Sequence, residues 1–532
     1  MSIAQQSASA SPSAIPRDYN FAADILKRNL DAGRAEKTAF IDHRGTYTYA
    51  DLAERVERFG HVLRSLRIRR EERILMCLAD TVDWPTAFLG AIKAGVVAVP
   101  VNTLMTEDDY CFMLRDSRAR LLIVSEELLP KFGKAIREAQ NLQTLKHVIV
   151  SGETSHGAPR FDDLLAQAST APVTAPTTRD DMCFWLYTSG STGKPKGAVH
   201  THADLKLTDD LYAGPILGIK ENDICYSVAK LFFAYGLGNA LTFPMSAGAT
   251  TVLLAQRPTP DLVADVLKKH QVSVFYAVPT FYAAFLASPA APQRAELKLR
   301  RCVSAGEALP SDIGRRWSER YGTDILDGLG STEMLHIFLS NRPGEVKYGT
   351  TGRPVPGYNI RLVDDEGETI KTRGEMGELQ VRGPTSAMMY WNNRDQSRST
   401  FLGEWTRSGD KYVEDDDGYF VYCGRRDDML KVSGMYVSPF EVEGVLQSHP
   451  DVLEAAVVGW PDTDALIKPK AFVVLKTQDL ACADFAQKLQ DACRQKLAVY
   501  KYPRWIEFRT ELPKTATGKI QRFKLRAEAD TK

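Results

Sequence analysis

The sequence has 532 residues, too many for one ordinary core, and so predicts two or more domains. Its 44% hydrophobic and 25% charged residues are typical of a folded globular chain and argue against a disordered or fibrous one. The 67 basic residues equal the 67 acidic ones, so the net charge is +0. This balance argues against a broad nucleic-acid or anionic-membrane surface. It is compatible with a local basic patch that binds one phosphorylated ligand.

The start of the chain, residues 1–15, is rich in Ser and Ala and has neither a basic start nor an apolar stretch. We therefore expect a disordered tail there and not a signal peptide. The apolar run at 95–101 is interrupted by Pro100 and is too short to span a bilayer. The expected location is the cytoplasm.

Strand and helix patterns alternate from residue 46 onward. A strand is predicted at 46–48, and Thr48 with Asp51 has the pattern of a capping box that opens a helix. The apolar face of that helix is formed by Leu52, Val56, Phe59, Leu63 and Leu66. Further elements are strands at 74–77, 96–99, 121–124 and 147–150 and a helix at 84–93. This alternation predicts stacked α/β layers with mainly parallel sheets.

A second alternating stretch follows at 224–286, with strands at 250–254 and 272–276. Strand patterns separated by Gly turns, at 358–363 and 377–382, predict a small β subregion. Beyond residue 424, strands at 451–459, 469–475 and 505–509 and a helix at 484–497 predict a small α+β domain. We expect a large domain at 16–426 and a small domain at 427–532, with the boundary inside 425–428.

The eight cysteines are scattered and have no pair at metal-ligand or redox spacing. Scattered cysteines in a long chain predict reduced, buried thiols of a cytoplasmic protein. The nine histidines have no zinc pattern either, since His200 and His202 alternate without a matching carboxylate motif.

The strongest local motif follows an apolar strand predicted at 183–187. Its glycines allow tight turns that bring backbone N–H groups close to an anion, and its hydroxyls and lysines add donors and positive charge. Because its glycine and lysine spacing differs from that of a Walker loop, it predicts a polyphosphate-binding loop of another kind, in preference to a plain surface turn. The residues are Thr188, Ser189, Gly190, Ser191, Thr192, Gly193, Lys194, Pro195, Lys196 and Gly197.

This loop resembles the phosphate loop of the adenylate-forming superfamily of acyl-CoA synthetases, luciferases and nonribosomal-peptide adenylation domains. Five more motifs follow in the order that this family has, so the resemblance covers the chain from about residue 30 to its end. They are Ser304-Ala305-Gly306-Glu307, Gly330-Ser331-Thr332-Glu333, Ser408-Gly409-Asp410, Gly424-Arg425-Arg426-Asp427-Asp428 and Pro513-Lys514-Thr515-Ala516-Thr517-Gly518-Lys519. The resemblance implies two domains, the second mobile, and ATP, Mg²⁺ and coenzyme A as cofactors or cosubstrates.

The resemblance also assigns roles in ATP binding. Glu333 is expected to hold Mg²⁺, Thr332 to contact phosphate, and Asp410 to accept hydrogen bonds from both ribose hydroxyls. Attack of a carboxylate on the α-phosphate joins two anions, which is why cations and a metal are needed. Without the other motifs, Glu333 would be a surface carboxylate and Asp410 a turn residue. The remaining expected ATP contacts are Gly306, Glu307, Ala308, Asp327, Gly328, Leu329, Ser331 and Arg425, with Thr188, Glu333 and Lys519 as catalytic residues.

In the small domain the resemblance assigns Lys519 to the lysine that bridges the substrate carboxylate and the α-phosphate. Lys514 is expected to be an ordinary exposed lysine. Asp427 matches the hinge, and the domain is expected to swing after adenylation. The expected path for the pantetheine arm of coenzyme A is lined by Lys431, Ser433, Gly434 and Met435.

Substrate choice is expected in a short, flat, apolar pocket that suits a benzene ring better than a fatty chain. Its expected walls are Ala234, Tyr235, Gly236, Gly328 and His336. The segments 230–238 and 334–336, with 501–504, resemble benzoate–CoA ligases in particular. Two positions depart from many relatives: Leu329 replaces an aromatic residue that stacks on adenine, and Phe233-Ala234 replaces a segment that carries His.

The expected reaction converts benzoate, or a close aromatic acid, and coenzyme A to the thioester, AMP and pyrophosphate. The alternatives are an aryl-acid adenylation enzyme that loads a carrier protein, a ligase for hydroxy- or aminobenzoate, a luciferase-like oxygenase and a nucleotide-binding regulator. Lys230 and Ala234 argue against an amino-acid substrate, and Glu333, Asp410 and Lys519 argue against a regulator. The expected partners are small molecules, with no nucleic acid and no membrane, and a homodimer is expected by analogy.

Overall fold

A computed structural model describes residues 15–154, 156–189, 195–425, 428–432, 435–462, 466–497, 500–514 and 520–530. Of the tail expected at 1–15, residues 1–14 lie outside this range. Ile15 was wrongly assigned to it, because its side chain is buried in the core and its carbonyl accepts a 2.6 Å hydrogen bond from Arg179.

The described residues form strands and helices in the following order. The strands are β1 Thr38–Ile41, β2 Thr46–Thr48, β3 Arg73–Cys77, β4 Val97–Pro100, β5 Leu121–Ser125, β6 His147–Ser151, β7 Met182–Ser189, β8 Pro195–Thr201, β9 Ile224–Ser227, β10 Thr250–Val252, β11 Val274–Ala277, β12 Arg301–Ala305, β13 Ile325–Gly330, β14 Ile337–Ser340, β15 Arg353–Pro354, β16 Asn359–Val363, β17 Met376–Arg382, β18 Met389–Tyr390, β19 Phe401–Leu402, β20 Trp405–Glu414, β21 Phe420–Arg425, β22 Leu430–Val432, β23 Met435–Val437, β24 Val452–Pro461, β25 Ile467–Leu475 and β26 Trp505–Arg509. The α-helices are α1 Phe21–Asp31, α2 Tyr49–Ser65, α3 Asp83–Lys93, α4 Glu107–Ser117, α5 Gly133–Asn141, α6 Phe161–Gln167, α7 His202–Thr208, α8 Ala234–Leu237, α9 Phe243–Ala247, α10 Pro260–Lys269, α11 Pro279–Ala287, α12 Ser311–Tyr321, α13 Arg394–Thr400, α14 Pro439–Gln447, α15 Ala483–Lys496 and α16 Arg522–Asp530.

The predicted elements are confirmed, with ends that differ by one or two residues. The capping box at the start of α2 is present, with the Thr48 side chain accepting from the Asp51 N–H and the Asp51 carboxylate accepting from the Thr48 N–H. Leu52, Val56 and Phe59 on its apolar face are fully buried. Two π-helical segments, Asp209–Leu217 and Gly238–Thr242, have no signal in the hydrophobic periodicity and were not predicted.

Three sheets make up the structure before residue 426. Sheet A has the order β18-β8-β7-β4-β3-β5-β6, and sheet B has the order β15-β14-β13-β12-β11-β9-β10-β1-β2. Both have parallel centres; sheet B has antiparallel pairs at both edges, whereas sheet A has them only at the β18-β8-β7 side and ends on the parallel pair β5-β6. Sheet C, built from β16, β17, β19, β20 and β21, is antiparallel and forms the predicted β subregion. The expected α/β layers are therefore confirmed.

Helices α1, α2 and α3 share one hydrophobic core with residues from both sheet A and sheet B, among them Phe40, Ile74 and Phe184. The opposite faces of the two sheets have separate cores. Because parallel strands of such sheets end at a common edge, the loops that follow them are brought together there. The predicted motifs follow β7, β12 and β13, so they lie at these edges.

The smaller unit packs β24, β25 and β26 against α14, α15 and α16. Strands β24 and β25 are antiparallel, while β26 is parallel to β25. A buried ion pair joins Arg522 to Glu443 at 2.8 Å, and the same carboxylate accepts from the Val457 N–H. The unit touches sheet C where Phe440 packs edge-on against Tyr422, 4.7 Å between ring centroids.

In the part of the chain that the structure describes, no helix is long and apolar enough to cross a membrane. All eight cysteines are free, as expected. The expectation that they are buried is wrong for Cys482, which is exposed, and only partly met by Cys423.

Candidate active site

The phosphate-loop motif joins β7 to β8, an antiparallel hairpin at one side of sheet A. Thr188 lies opposite Lys196, and Ser189 lies opposite Pro195. Gly197 permits the close approach of Trp185, because a Cβ there would lie 2.9 Å from the indole ring. The tip of the motif, Gly190, Ser191, Thr192, Gly193 and Lys194, lies outside the described residues.

Glu333 is held by contacts from the segment that leads into β18 at the edge of sheet A. Its backbone carbonyl accepts a 2.7 Å hydrogen bond from the Ala387 N–H. Its carboxylate accepts a 2.6 Å hydrogen bond from the Tyr390 hydroxyl, which in turn accepts from Lys196 Nζ at 2.9 Å. Lys196 Nζ lies 4.0 Å from the same carboxylate. The structure thus brings Lys196 of the phosphate loop to the acid that the sequence assigns to Mg²⁺.

A buried histidine fixes the backbone of the Ser331-Thr332-Glu333 turn. His200 Nε2 lies 2.7 Å from the Thr332 carbonyl, and His200 Nδ1 lies 2.9 Å from the Asp204 carboxylate. Ser331 Oγ accepts from the Met334 N–H at 3.2 Å. His200 therefore does have a carboxylate partner that the sequence did not indicate, but its other nitrogen is occupied by backbone, so it acts as a structural support.

The residues proposed to bind the nucleotide lie in the turn after β12 and within β13. Gly306 has φ +94°, a conformation that favours glycine, and Glu307 and Ala308 continue the turn. Gly328 has Leu339 O and the Ile337 side chain within about 3 Å of where a Cβ would lie, so only glycine fits there. Gly306 thus allows the turn, and Gly328 allows β13 to lie close to β14.

Two neighbouring residues of β13 differ sharply in environment. Asp327 is buried, and burial raises the pKa of its carboxyl well above the usual range, which favours the neutral acid. Leu329 is only partly buried, opposite Leu339 of β14. Of the two, Leu329 is better placed to offer a surface to a ligand, as an apolar wall.

Asp410 and Arg425 face each other across β20 and β21. Arg425 Nη1 donates to Asp410 Oδ1 at 3.2 Å, and this charge, with a further contribution from Glu333, raises the pKa of the guanidinium. The Asp410 side chain is only 9% exposed, whereas that of Arg425 is 54% exposed. Lys196 has a lowered pKa, chiefly from burial, with Arg425 as a further cause. Lys196, Glu333, Asp410 and Arg425 therefore form one charged cluster.

The proposed acyl wall is formed by Tyr235 and His336, whose rings lie 5.7 Å apart. The Tyr235 hydroxyl donates to the Val303 carbonyl at 3.1 Å, which fixes its ring against β12. His336 is 3% exposed, and burial lowers its pKa to about 3. A neutral imidazole and a phenol ring present an aromatic surface with no charge to attract or repel a ring substituent.

Glycines let the segment that carries this wall pack closely. A Cβ at Gly236 would lie 2.0 Å from the Lys230 carbonyl, and one at Gly238 would lie 2.5 Å from the His336 ring. Ala234, at the start of α8, is partly buried against the main core. The small size of Ala234 and of the two glycines therefore determines how much space is left beside His336.

Lys230, at the start of the segment that carries the wall, is held by backbone carbonyls. Its amine donates to the Leu254 carbonyl and, at 2.9 Å, to the Gln256 carbonyl. It also lies 3.9 Å from Asp80, whose buried carboxyl has a pKa raised to about 6 by desolvation. Lys230 thus ties the acyl-wall segment to the residues that follow β10.

Several predicted residues of the small domain lie outside the described residues: Asp427, Ser433, Gly434 and Lys519. Lys431 and Met435 belong to the backbone of the β22–β23 hairpin, where Lys431 pairs with Tyr436 and Met435 with Val432. Lys514 pairs with Glu454 at 2.5 Å. It is exposed, as expected, and forms a surface ion pair.

Glu333 fits a magnesium site of the kind that combines one carboxylate with substrate phosphates. Within the described ranges there is no cluster of three or more acidic, histidine or cysteine side chains that would form an all-protein metal cage. The carboxylate is 15% exposed and lies beside Lys196 of the phosphate loop. A metal there would need oxygen ligands from a bound nucleotide.

This combination of fold and site is that of an enzyme that binds a nucleotide and uses it to activate a carboxylic acid. A family described as AMP-binding enzyme matches residues 27–391, and its C-terminal domain matches residues 441–519. The chain belongs to the AMP-binding enzyme family.

Similar proteins act on aromatic acids. The chain is 58% identical to a benzoate–CoA ligase of Thauera aromatica over 528 residues, 99% of each protein. It is 48% identical to a 4-hydroxybenzoate–CoA/benzoate–CoA ligase of Rhodopseudomonas palustris, covering 96% of this chain and 94% of that protein. The crystal structure of a benzoate CoA ligase from Burkholderia xenovorans LB400 superposes with a TM-score of 0.89 at 54% identity, covering 96% of this chain and all of that one.

Proposed function

We propose that this chain is an ATP-dependent benzoate–CoA ligase that forms benzoyl-CoA, AMP and pyrophosphate through a benzoyl-adenylate. The observation that carries the proposal is the 58% identity to a benzoate–CoA ligase over nearly the whole chain. The uncharged wall of Tyr235 and His336 agrees with it, because an unsubstituted ring needs apolar contact and shape but no ionic partner.

In the first half-reaction a benzoate oxygen attacks the α-phosphorus of ATP, and pyrophosphate leaves with the electrons of the broken P–O bond. Both reactants are anions, so the site has to offset their repulsion. Lys196 and Arg425 supply positive charge in the described part of the site, and Lys519 is proposed to add a third cation. Asp410 is proposed to accept from the ribose hydroxyls and so to fix the nucleotide.

Magnesium, when bound, would neutralise phosphate charge and polarise the phosphoryl oxygens. Glu333 is the residue proposed to hold it. The chain's own contribution is to keep that carboxylate in place through Tyr390 and the Ala387 N–H, and to keep the turn beneath it in place through His200.

In the second half-reaction the thiol of coenzyme A attacks the adenylate carbonyl carbon, AMP leaves, and the thiol proton passes to solvent. We propose that the small domain rotates about Asp427 between the halves, withdrawing Lys519 and presenting the 431–435 hairpin. The ring contact between Phe440 and Tyr422 joins this domain to sheet C, and such a rotation would have to break it.

The test is a screen of acids for CoA-dependent AMP release and thioester formation. Benzoate should react, and hydroxy- and aminobenzoates measure how far ring substituents are tolerated. Palmitate should not react, because the pocket proposed beside Tyr235 and His336 is short. A transfer to a carrier protein without transfer to free CoA would favour the carrier-loading alternative. Equal rates with palmitate would contradict the pocket.

We also propose a cytoplasmic location and a homodimer. Free cysteines throughout the chain support the first. The second rests on analogy with the family alone, and sedimentation analysis of the purified chain tests it.

A further inference from the structure

Tyr390 lies at the centre of the charged cluster, although no sequence motif singles it out. It is 1% exposed, on β18 at the edge of sheet A, with its ring 5.3 Å from that of Phe401. Its hydroxyl is both a hydrogen-bond donor and an acceptor: it donates to Glu333 Oε1 at 2.6 Å and accepts from Lys196 Nζ at 2.9 Å. Lys196 Nζ also lies 4.1 Å from the centre of the Tyr390 ring.

This arrangement keeps two opposite charges close together without joining them. Lys196 Nζ and Glu333 Oε1 are 4.0 Å apart, at the outer limit of an ion pair, and the hydroxyl lies between them. A direct pair in this half-buried place would engage the carboxylate that has to bind a cation. The hydroxyl is a neutral partner for that carboxylate, so a cation can bind there without first separating an ion pair.

We infer that Tyr390 is a positioning residue for the metal: it keeps Glu333 from pairing directly with Lys196, so that the carboxylate stays available to Mg²⁺. The inference rests on the proposed function, because it takes Glu333 as the metal-binding acid. It assigns Tyr390 no contact with substrate and no transfer of a proton.

Tyr390→Phe is the direct test, because it keeps the ring, its packing on Phe401 and its contact with Lys196 and removes only the hydroxyl. ATP binding to the full chain is measured by calorimetry, once with excess Mg²⁺ and once with EDTA. We expect the dissociation constant of Mg·ATP to rise about tenfold, the effect of losing one hydrogen bond to a charged group, and that of metal-free ATP to change less than about twofold. Tyr49→Phe, which removes a buried hydroxyl bound to the Ala249 carbonyl, is the matched control and should change neither value.

Glu333→Gln separates this inference from the proposal beneath it. Glu333→Gln alone should abolish the advantage of Mg·ATP over metal-free ATP, and adding Tyr390→Phe should then cost nothing further. If Glu333→Gln keeps the full Mg²⁺ advantage, the proposed metal site is wrong and the inference falls with it. If Glu333→Gln loses that advantage but Tyr390→Phe weakens both forms of ATP equally, or the two changes add, Tyr390 is only structural.

Thermal unfolding shows whether Tyr390→Phe folds. If it does not, the wild-type chain labelled with 3-fluorotyrosine answers the same question by ¹⁹F NMR. One resonance should shift with Mg·ATP and not with ATP in EDTA, because the Tyr390 hydroxyl loses or changes its carboxylate partner only when the metal binds. Identical spectra in the two conditions would overturn the inference.

Discussion

Asp410 offers a sharp test of nucleotide binding, because its carboxylate is nearly buried and faces Arg425 across two paired strands. If it accepts one hydrogen bond from each ribose hydroxyl, Asp410→Ala removes two bonds to a charged group. At roughly 1.5–3 kcal/mol each, the loss is about 3–6 kcal/mol. Arg425 is more than half exposed, so water can solvate its guanidinium and little further cost is expected from that side. The dissociation constant of ATP should therefore rise about 10²-fold or more.

Comparison with 2′-deoxyATP makes the assignment specific to ribose. The wild-type chain should bind 2′-deoxyATP about tenfold or more weakly than ATP, and Asp410→Ala should bind the two alike, because the partner of the missing hydroxyl is already gone. Calorimetry with both nucleotides gives the four values needed. Asp365→Ala is the matched control, since it removes a carboxylate that pairs at 2.9 Å with the adjacent Lys411. Unchanged discrimination between the two nucleotides in Asp410→Ala would refute the ribose contact.

Three further predictions concern the half-reactions, the acyl pocket and pH. Lys519→Ala should slow benzoyl-adenylate formation by about 10²-fold or more, while the conversion of supplied benzoyl-adenylate and CoA stays near normal. A bulky residue at Gly434 should do the reverse. Quench-flow measurement of each half-reaction tests this, and equal slowing of both halves by Lys519→Ala would contradict domain alternation. Ala234→Leu should raise the KM of ring-substituted benzoates more than that of benzoate, and a uniform effect in steady-state assays would speak against the pocket. Burial raises the pKa of Asp209 to about 8, above its unfolded value near 3.8, so its contribution to stability is full at low pH and is lost as pH rises through that interval. Asp209→Asn should therefore gain stability relative to wild type by up to about 1.4 kcal/mol per pH unit between pH 4 and 8, and a difference in denaturant unfolding that is independent of pH would contradict this.

The elements that the sequence predicts best are those with strong local patterns. Helix α2 has both a capping box and an apolar face, so local and tertiary preferences agree. The phosphate loop follows a buried strand, β7, which marks it as the end of a sheet strand. Such features depend on residues close together in the sequence, and their positions are accurate to within one or two residues.

What the sequence does not predict depends on contacts between distant segments. Tyr390 and Glu333 are separated by 57 positions, and Lys196 and Tyr390 by 194, so no periodicity relates them. The carbonyls that bind Lys230 belong to the segment after β10, more than twenty positions away, and no local pattern predicts that contact. The buried acid Asp209 lies in a π-helical segment, a geometry that has no hydrophobic period of its own.

The central claim is that a carboxylate oxygen of the acid substrate attacks the α-phosphorus of ATP. Benzoate labelled with ¹⁸O in both carboxylate oxygens tests it directly, because the oxygen that forms the adenylate stays with AMP when CoA attacks the carbonyl carbon. Mass spectrometry of the products should show one ¹⁸O in each AMP, none in pyrophosphate and one in benzoyl-CoA. Unlabelled AMP, or ADP with labelled phosphate, would contradict the account.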